Sequence, residues 1–221
     1  MPSLEQARNW YSATDPVHGF DHISRVYYLA QRIGRVEGAD LRIVSAAALL
    51  HDFEGDQLAE KGSDKYAARL KSRINHQQTA TDFCSVILEE EGWNAADIHA
   101  VQHCIRSHRF RDLTEQPRTL EAQVLFDADK LDAIGAVGAA RAIAYAAREG
   151  FPAFCMPSQT FIASGEPEEG ESHSAYHEYL FKLRTIRSRL FTITGKFLAE
   201  ERHHRMVDFF EQLMAESLGE T

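Results

Sequence analysis

The 221-residue sequence lacks the features that mark membrane, secreted and disulfide-stabilised proteins. No apolar run approaches the roughly 20 residues that a bilayer requires, and even segment 46–50 is bracketed by polar residues. The N-terminus has neither a basic segment nor an apolar one, so it does not predict a secretory signal. The three cysteines are odd in number and widely spaced, which favours a reducing compartment over a disulfide framework. These absences predict a cytoplasmic protein with no membrane partner.

Positive charge is also scarce. The chain carries 24 lysine and arginine residues against 33 acidic residues, for a formal net charge of −9. Its longest basic cluster, at 202–205, is interrupted by two histidines. Because an acidic surface repels the nucleic-acid backbone, the composition predicts no nucleic-acid partner.

Strand-like alternation is rare, whereas apolar residues recur with a period near 3.6 through most of the sequence. This pattern predicts an all-α fold. A length below roughly 250–300 residues predicts one compact helical domain over 1–221, with an irregular excursion at about 151–172. We expect a polar loop at 53–64. The predicted helices cover 4–13, 21–38, 40–50, 65–73, 76–91, 95–108, 119–150 (with Gly135 and Gly138 permitting a bend or close packing), 174–192 and 195–218.

The most informative pair of residues is His51-Asp52, which directly follows the apolar segment 46–50. An unpaired carboxylate against an apolar wall costs several kcal/mol. Asp52 is therefore expected to face a cation.

Two further segments could complete a metal site. His22 follows His18 by four residues near the start of the chain, and Asp129 interrupts an otherwise apolar helix. Two imidazoles and two carboxylates neutralise a divalent ion and leave about two octahedral positions open for water and a phosphate oxygen. Asp127 and Asp132 compete with Asp129 because they lie within one helical turn of it.

The order of these residues resembles that of the HD superfamily of metal-dependent phosphohydrolases: a His, then His-Asp, then a distant Asp. Residues 21–26, 47–52 and 127–135 match the three elements in turn. The resemblance implies an all-helical fold and hydrolysis of a phosphate ester or anhydride by a metal-activated water. It also implies four metal ligands, which are His22, His51, Asp52 and Asp129.

Residues 181–183 and 194–203 extend the resemblance to the small bacterial YpgQ/YedJ-like group, so that it covers nearly the whole chain. For this group it implies a small phosphorylated substrate, in particular a nucleoside triphosphate cleaved to release pyrophosphate.

Other polar residues could act on such a substrate. An anionic substrate at a near-neutral site needs further positive groups. The candidates for catalysis are Glu54 and Asp56 as general bases, His18, which could instead make a loop-capping hydrogen bond, and Lys130. The candidates for phosphate binding are Arg25, His103, His108 and Lys182.

Mixed His and Asp ligation favours one Mn, Fe, Co or Ni ion over Ca and leaves Mg open. Two alternatives remain. Extra histidines (His76, His99, His103 and His108) could hold a second metal in an oxygenase-like dinuclear site, or the chain could be a non-catalytic metal- and nucleotide-binding module. The sequence leaves open the metal, the scissile bond, the base and the oligomeric state.

Overall fold

The computed structural model describes residues 1–11, 15, 17–53, 80–109 and 115–220. Within these ranges the chain is helical and contains no strand, which confirms the all-α prediction. No helix among them is both long and apolar enough to cross a membrane. The helices are α1 (Leu4–Arg8), α2 (Phe20–Glu37), α3 (Leu41–Leu50), α4 (80–90), α5 (Ala95–Ser107), α6 (Leu120–Asp132), α7 (Gly135–Glu149), α8 (Gln159–Ser164), α9 (Ala175–Phe181), the 3-10 helix η1 (Leu183–Arg189) and α10 (Ile193–Leu218).

The chain divides into two compact units, an N-terminal unit of residues 1–129 and a C-terminal unit of residues 130–221. Each has its own packed helices. The single domain over 1–221 stays a prediction.

Helix α3 is the central element of the N-terminal unit. It begins after Asp40, whose carboxylate accepts hydrogen bonds from the backbone N–H groups of Arg42 (2.8 Å) and Ile43 (3.4 Å). Every residue from Ile43 to Leu50 is buried, with α2 and α5 packed against the helix. Each buried leucine or isoleucine contributes about 1.5–3 kcal/mol. The end of α3 is thus fixed within the core.

Helix α1 is shorter than its apolar pattern predicts, since it ends at Arg8. Ser3 and Gln6 form a reciprocal capping box at its start. Its buried Ala7 forms a small core with Ile23 of α2 and Leu49 of α3. Helix α1 is therefore packed directly against α2 and against α3, the helix that leads into the His51-Asp52 pair.

In the C-terminal unit, α7 packs against α9 and α10. The single pattern over 119–150 forms two helices because the chain turns at Gly135, whose φ of +79° suits glycine. A Cβ on Gly138 would lie 2.3 Å from the Ala133 carbonyl oxygen and 2.9 Å from Met206 Cε. The expected bend and close packing are both present.

The excursion at 151–172 contains a helix, α8, that its irregular composition did not predict. Ser158 caps this helix through a hydrogen bond from the Phe161 N–H to its Oγ. Glu171 holds the segment together by accepting hydrogen bonds from the Ser158 N–H and hydroxyl (2.7 Å each) and from the Glu168 N–H (2.7 Å). The predicted helix at 174–192 is also interrupted, since α9 is followed by η1. The expectations for 54–79 lie outside the described residues.

Candidate metal centre

His22 lies in the first turn of α2, where its backbone N–H donates to the Gly19 carbonyl at 3.0 Å. Its side chain is 1% exposed. The Nε2 atom lies 3.5 Å from Asp52 Oδ2 and 3.6 Å from Asp129 Oδ1. The structure therefore brings together residues from α2, the end of α3 and α6.

His51 follows the last residue of α3, and its Nδ1 lies 3.0 Å from the Ala48 carbonyl oxygen. Because a carbonyl can only accept, Nδ1 carries the hydrogen and Nε2 presents a lone pair. This Nε2 is buried, has no hydrogen-bond partner among the described residues, and lies 3.7 Å from Asp52 Oδ2. Burial lowers the pKa of His51 to about 4, although the charge of Asp52 opposes the shift. The ring is thus neutral at pH 7, as a metal ligand must be.

The separations among these groups fit a shared cation better than direct hydrogen bonds. Distances of 3.5–3.7 Å between nitrogen and oxygen exceed hydrogen-bond lengths. Two atoms that each lie about 2.1 Å from one ion are about 3.0–3.4 Å apart in octahedral or tetrahedral geometry. One ligand atom from each of His22, His51 and Asp129 lies within 4.8 Å of the other two. The nitrogen and oxygen donors therefore fit a divalent metal ion.

The carboxylates lie on the open side of this group. Asp52 and Asp129 are 16% and 15% exposed, whereas the His22 and His51 side chains are almost fully buried. Burial raises the pKa of Asp52, but the surrounding imidazoles of His51, His108 and His22 outweigh it and hold this pKa well below its usual range. Asp52 is therefore ionised at neutral pH, and the two carboxylates are the more accessible members of the group.

His108 repeats the arrangement of His51 at the end of α5. It too follows the last residue of its helix, and its Nδ1 bonds to the carbonyl three residues earlier, that of Ile105. Its Nε2 lies 3.5 Å from Asp52 Oδ1, and its ring centroid lies 5.1 Å from that of His51. The two oxygens of Asp52 thus face different groups: Oδ2 faces His22 and His51, and Oδ1 faces His108.

Of the predicted catalytic residues, His18 lies at the edge of the group. Its side chain is 39% exposed, and its ring centroid lies 6.5 Å from that of His22. Asp15 Oδ1 accepts a hydrogen bond from the His18 backbone N–H at 3.0 Å, and the His18 ring Nδ1 lies 3.9 Å from Asp15 Oδ2. The role of the His18 ring stays a prediction. Glu54 and Asp56, like His76, lie outside the described residues.

The remaining predicted phosphate-binding residues have ionic partners. Arg25 pairs with Asp21 at 2.6 Å, and Lys182 pairs with Glu178 at 2.6 Å. His103 Nδ1 lies 2.8 Å from Glu115 Oε1, and the Arg118 N–H donates to its Nε2 at 3.1 Å. Lys130 is buried at the first position of the C-terminal unit. Their roles toward a substrate stay predictions.

Asp127 and Asp132 are the two alternatives to Asp129 that the sequence offers. Both are fully buried, and Asp132 Oδ2 pairs with Arg141 at 2.9 Å. Asp129 is the member of the three that lies in the three-residue ligand group. The arginine partner explains how Asp132 is tolerated in the interior.

Sequence reasoning missed Tyr11. Its hydroxyl donates to the Leu49 carbonyl oxygen at 2.8 Å, in the last turn of α3. No motif marks this contact, because the two residues are 38 positions apart.

Comparison with known proteins places this geometry in context. The family model described as "HD domain" matches residues 19–134. The uncharacterized protein YpgQ of Bacillus subtilis is 36% identical over 220 residues, covering 96% of this chain and 93% of that protein.

Solved structures are similar over most of their length. The crystal structure of Bacillus subtilis YpgQ in complex with ADP matches with a TM-score of 0.67 at 31% identity, covering 97% of each chain. An HD-superfamily hydrolase from Bacillus thuringiensis matches with a TM-score of 0.61 at 26% identity, covering 89% of this chain and 85% of that one.

Proposed function

The chain belongs to the HD-domain family, and from this premise we propose that it is a metal-dependent phosphohydrolase acting on a nucleotide. One observation carries the proposal: within the part of the chain that the structure describes, the buried His51 Nε2 has no hydrogen-bond partner, and it lies near His22 and two carboxylates. A buried polar atom without a partner is costly unless a ligand satisfies it. The similar structure of the Bacillus thuringiensis hydrolase supports the reaction class.

We assign His22, His51, Asp52 and Asp129 as the residues that would hold the ion. When bound, a divalent ion stabilises negative charge on a phosphoryl group and lowers the pKa of a water. The hydrogen bond from His51 Nδ1 to Ala48 fixes the ring tautomer and orientation, as outer hydrogen bonds do at metal sites. Mixed nitrogen and oxygen donors favour manganese or a neighbouring transition metal.

The substrate phosphate would enter on the carboxylate side, where Asp52 and Asp129 are partly exposed. We assign His108 and His18 to this side as phosphate contacts, since both lie around the ligand group and neither belongs to it. Arg25, Lys130, His103 and Lys182 remain candidates for phosphate contact, and Glu54 and Asp56 remain candidates for the general base.

A nucleotide substrate is supported by the YpgQ structure in complex with ADP. That structure concerns a protein similar to this one across its whole length. For this chain we propose a nucleoside triphosphate that is cleaved to a monophosphate and pyrophosphate.

A second candidate rests on Asp52. Its Oδ1 faces His108 while its Oδ2 faces His22 and His51, so Asp52 and His108 could together hold a second ion beside the first. Two irons per chain with oxygen consumption would favour this dinuclear oxygenase. One metal per chain with phosphate release would exclude it.

The direct test is phosphorus NMR of the products formed from nucleoside triphosphates with Mn²⁺. Pyrophosphate is expected; orthophosphate or tripolyphosphate would identify a different scissile bond. His51→Gln should abolish both Mn²⁺ binding and turnover, whereas His99→Gln, a control at an exposed histidine of α5, should retain both. Nucleotide binding without turnover across a panel of nucleotides and phosphomonoesters would instead identify a non-catalytic module.

A further inference from the structure

We infer that Tyr11 is a positioning residue for the metal site, because its phenol hydroxyl fixes the backbone turn that carries His51 and Asp52. The inference rests on the metal site of the proposed function. It assigns a role to the N-terminal segment, which contributes none of the proposed ligands.

The turn needs such support because α3 stops at Leu50, immediately before the ligands. The last carbonyl groups of a helix have no partner within the helix. The Ala48 carbonyl is engaged by the His51 ring. The next carbonyl, that of Leu49, accepts the hydroxyl of Tyr11 at 2.8 Å. A residue near the start of the chain thereby satisfies the backbone between a ligand and its helix.

The hydrogen bond from Tyr11 falls on the chain that leads directly into the proposed ligands. The Leu49 carbonyl stands two residues before His51 and three before Asp52. The phenol therefore restrains the backbone at the point from which both side chains are placed.

Aromatic contacts hold Tyr11 in place. Trp10, its neighbour, packs edge-on against Phe83 of α4, with ring centroids 5.4 Å apart. Phe83 in turn stacks on Phe53, the residue after Asp52, at 3.7 Å. Since α1 has only five residues, its own hydrogen bonds cannot hold it helical or in position. Through Phe83, these contacts join the segment after α1 to Phe53, the residue that follows the two proposed ligands.

The role is one of geometry rather than chemistry. The hydroxyl is bonded to backbone and not aimed at the space between the proposed ligands. Losing it would leave the Leu49 carbonyl unsatisfied and allow the turn to shift, so that His51 and Asp52 no longer converge on one point. Outer contacts of this kind typically change metal affinity by about 10–100-fold.

The test is the Kd for Mn²⁺ alone, measured by isothermal titration calorimetry on the full chain. Tyr11→Phe removes only the hydroxyl and should weaken binding by about 10–100-fold. Tyr27→Phe is the matched control, because it removes a phenol hydroxyl from a ring packed on the same small core. This control should leave the Kd unchanged.

A second variant separates positioning from general loss of stability. Leu4→Ala reduces the packing of α1 on the same core without removing the hydroxyl. It should lower the thermal midpoint without the loss of Mn²⁺ affinity expected for Tyr11→Phe. The inference is overturned if Tyr11→Phe binds Mn²⁺ as the wild type does, or if Leu4→Ala weakens binding equally. A wild-type chain that binds no Mn²⁺ would refute the proposed metal site itself, and this inference with it.

Discussion

His51 and His177 are both fully buried histidines close to carboxylates, one in each unit of the chain, but their ring nitrogens have different surroundings. In the C-terminal unit, His177 Nδ1 lies 2.7 Å from the Ser174 hydroxyl, and Nε2 lies 3.1 Å from Glu171 Oε1. In the N-terminal unit, His51 Nδ1 bonds to the Ala48 carbonyl, and no residue that the structure describes in this unit forms a hydrogen bond with Nε2.

The difference separates a cluster with complete hydrogen bonding from one whose geometry fits the proposed metal ion. Around His177 each ring nitrogen is paired at hydrogen-bond distance, which stabilises the fold without any ligand. Around His51 the carboxylate and imidazole atoms are held 3.5–3.7 Å apart, a spacing that leaves them incompletely paired. The type of residue is the same in both places, and the state of the second nitrogen distinguishes their roles.

The largest effect is expected from Asp52→Asn, which removes charge from the metal-binding cluster. Metal catalysis contributes several kcal/mol, so turnover should fall by about 10³-fold or more, and bound Mn²⁺ should be lost. The metal-free variant should unfold at a lower urea concentration than the metal-free wild type at pH 7, because the imidazoles that hold the pKa of Asp52 low also stabilise its ionised form in the folded chain. Elemental analysis and urea unfolding check both points. If the variant kept its metal and lost stability, the His51 cluster would serve only to stabilise the fold, as the His177 cluster does.

His177→Phe should have the opposite profile. Phenylalanine keeps a ring but removes both ring-nitrogen contacts, to the Ser174 hydroxyl and to Glu171, while the Ser174 oxygen still accepts from the backbone N–H of residue 177. The expected cost is about 1–3 kcal/mol in the free energy of unfolding. Mn²⁺ affinity should not change. Urea unfolding and calorimetry provide the measurements, and a loss of metal binding would contradict the separation of the two clusters.

The smallest effect is a pH dependence at Glu171. Hydrogen bonding from the Ser158 backbone N–H, against an opposing effect of burial, lowers the pKa of Glu171 from 4.5 to about 2. A lowered folded-state pKa stabilises the protein above pH 4.5, and this contribution disappears as the pH falls toward 2. Glu171→Gln should therefore destabilise the chain at pH 6 and by less at pH 3. An equal difference in unfolding free energy at the two pH values would show that the carboxylate charge is not responsible.

Helices with strong local signals could be predicted from the sequence. The start of α3 after Asp40 and the end of α2 at Gly38 follow from a capping carboxylate and a left-handed glycine. The prediction of one continuous helix over 174–192 was wrong, because the chain forms the 3-10 helix η1 after α9. Helix α8 was missed because its few residues give too short a periodic pattern.

The candidate site likewise has features that the sequence predicts and features that only the packing of the helices fixes. The order of the residues in the chain predicts His22, His51, Asp52 and Asp129 as ligands. The structure groups His22, His51 and Asp129 within 4.8 Å of one another and places Asp52 beside them, 3.5 Å from His22. The sequence could not show that His108, rather than His99 or His103 of α5, lies beside Asp52 Oδ1. Only the packing of α5 on α3 distinguishes them.

The sequence by itself determined the helical fold class and the identity of the proposed metal ligands, because helix periodicity and the ordered His, His-Asp and Asp elements are encoded along the chain. The tertiary structure alone decided that Nε2 of His51 remains available and that Oδ1 of Asp52 faces His108. It also decided that Tyr11 bonds to the Leu49 carbonyl, just before these two residues. These properties depend on distances between side chains far apart in sequence, and such distances are fixed only when the helices pack.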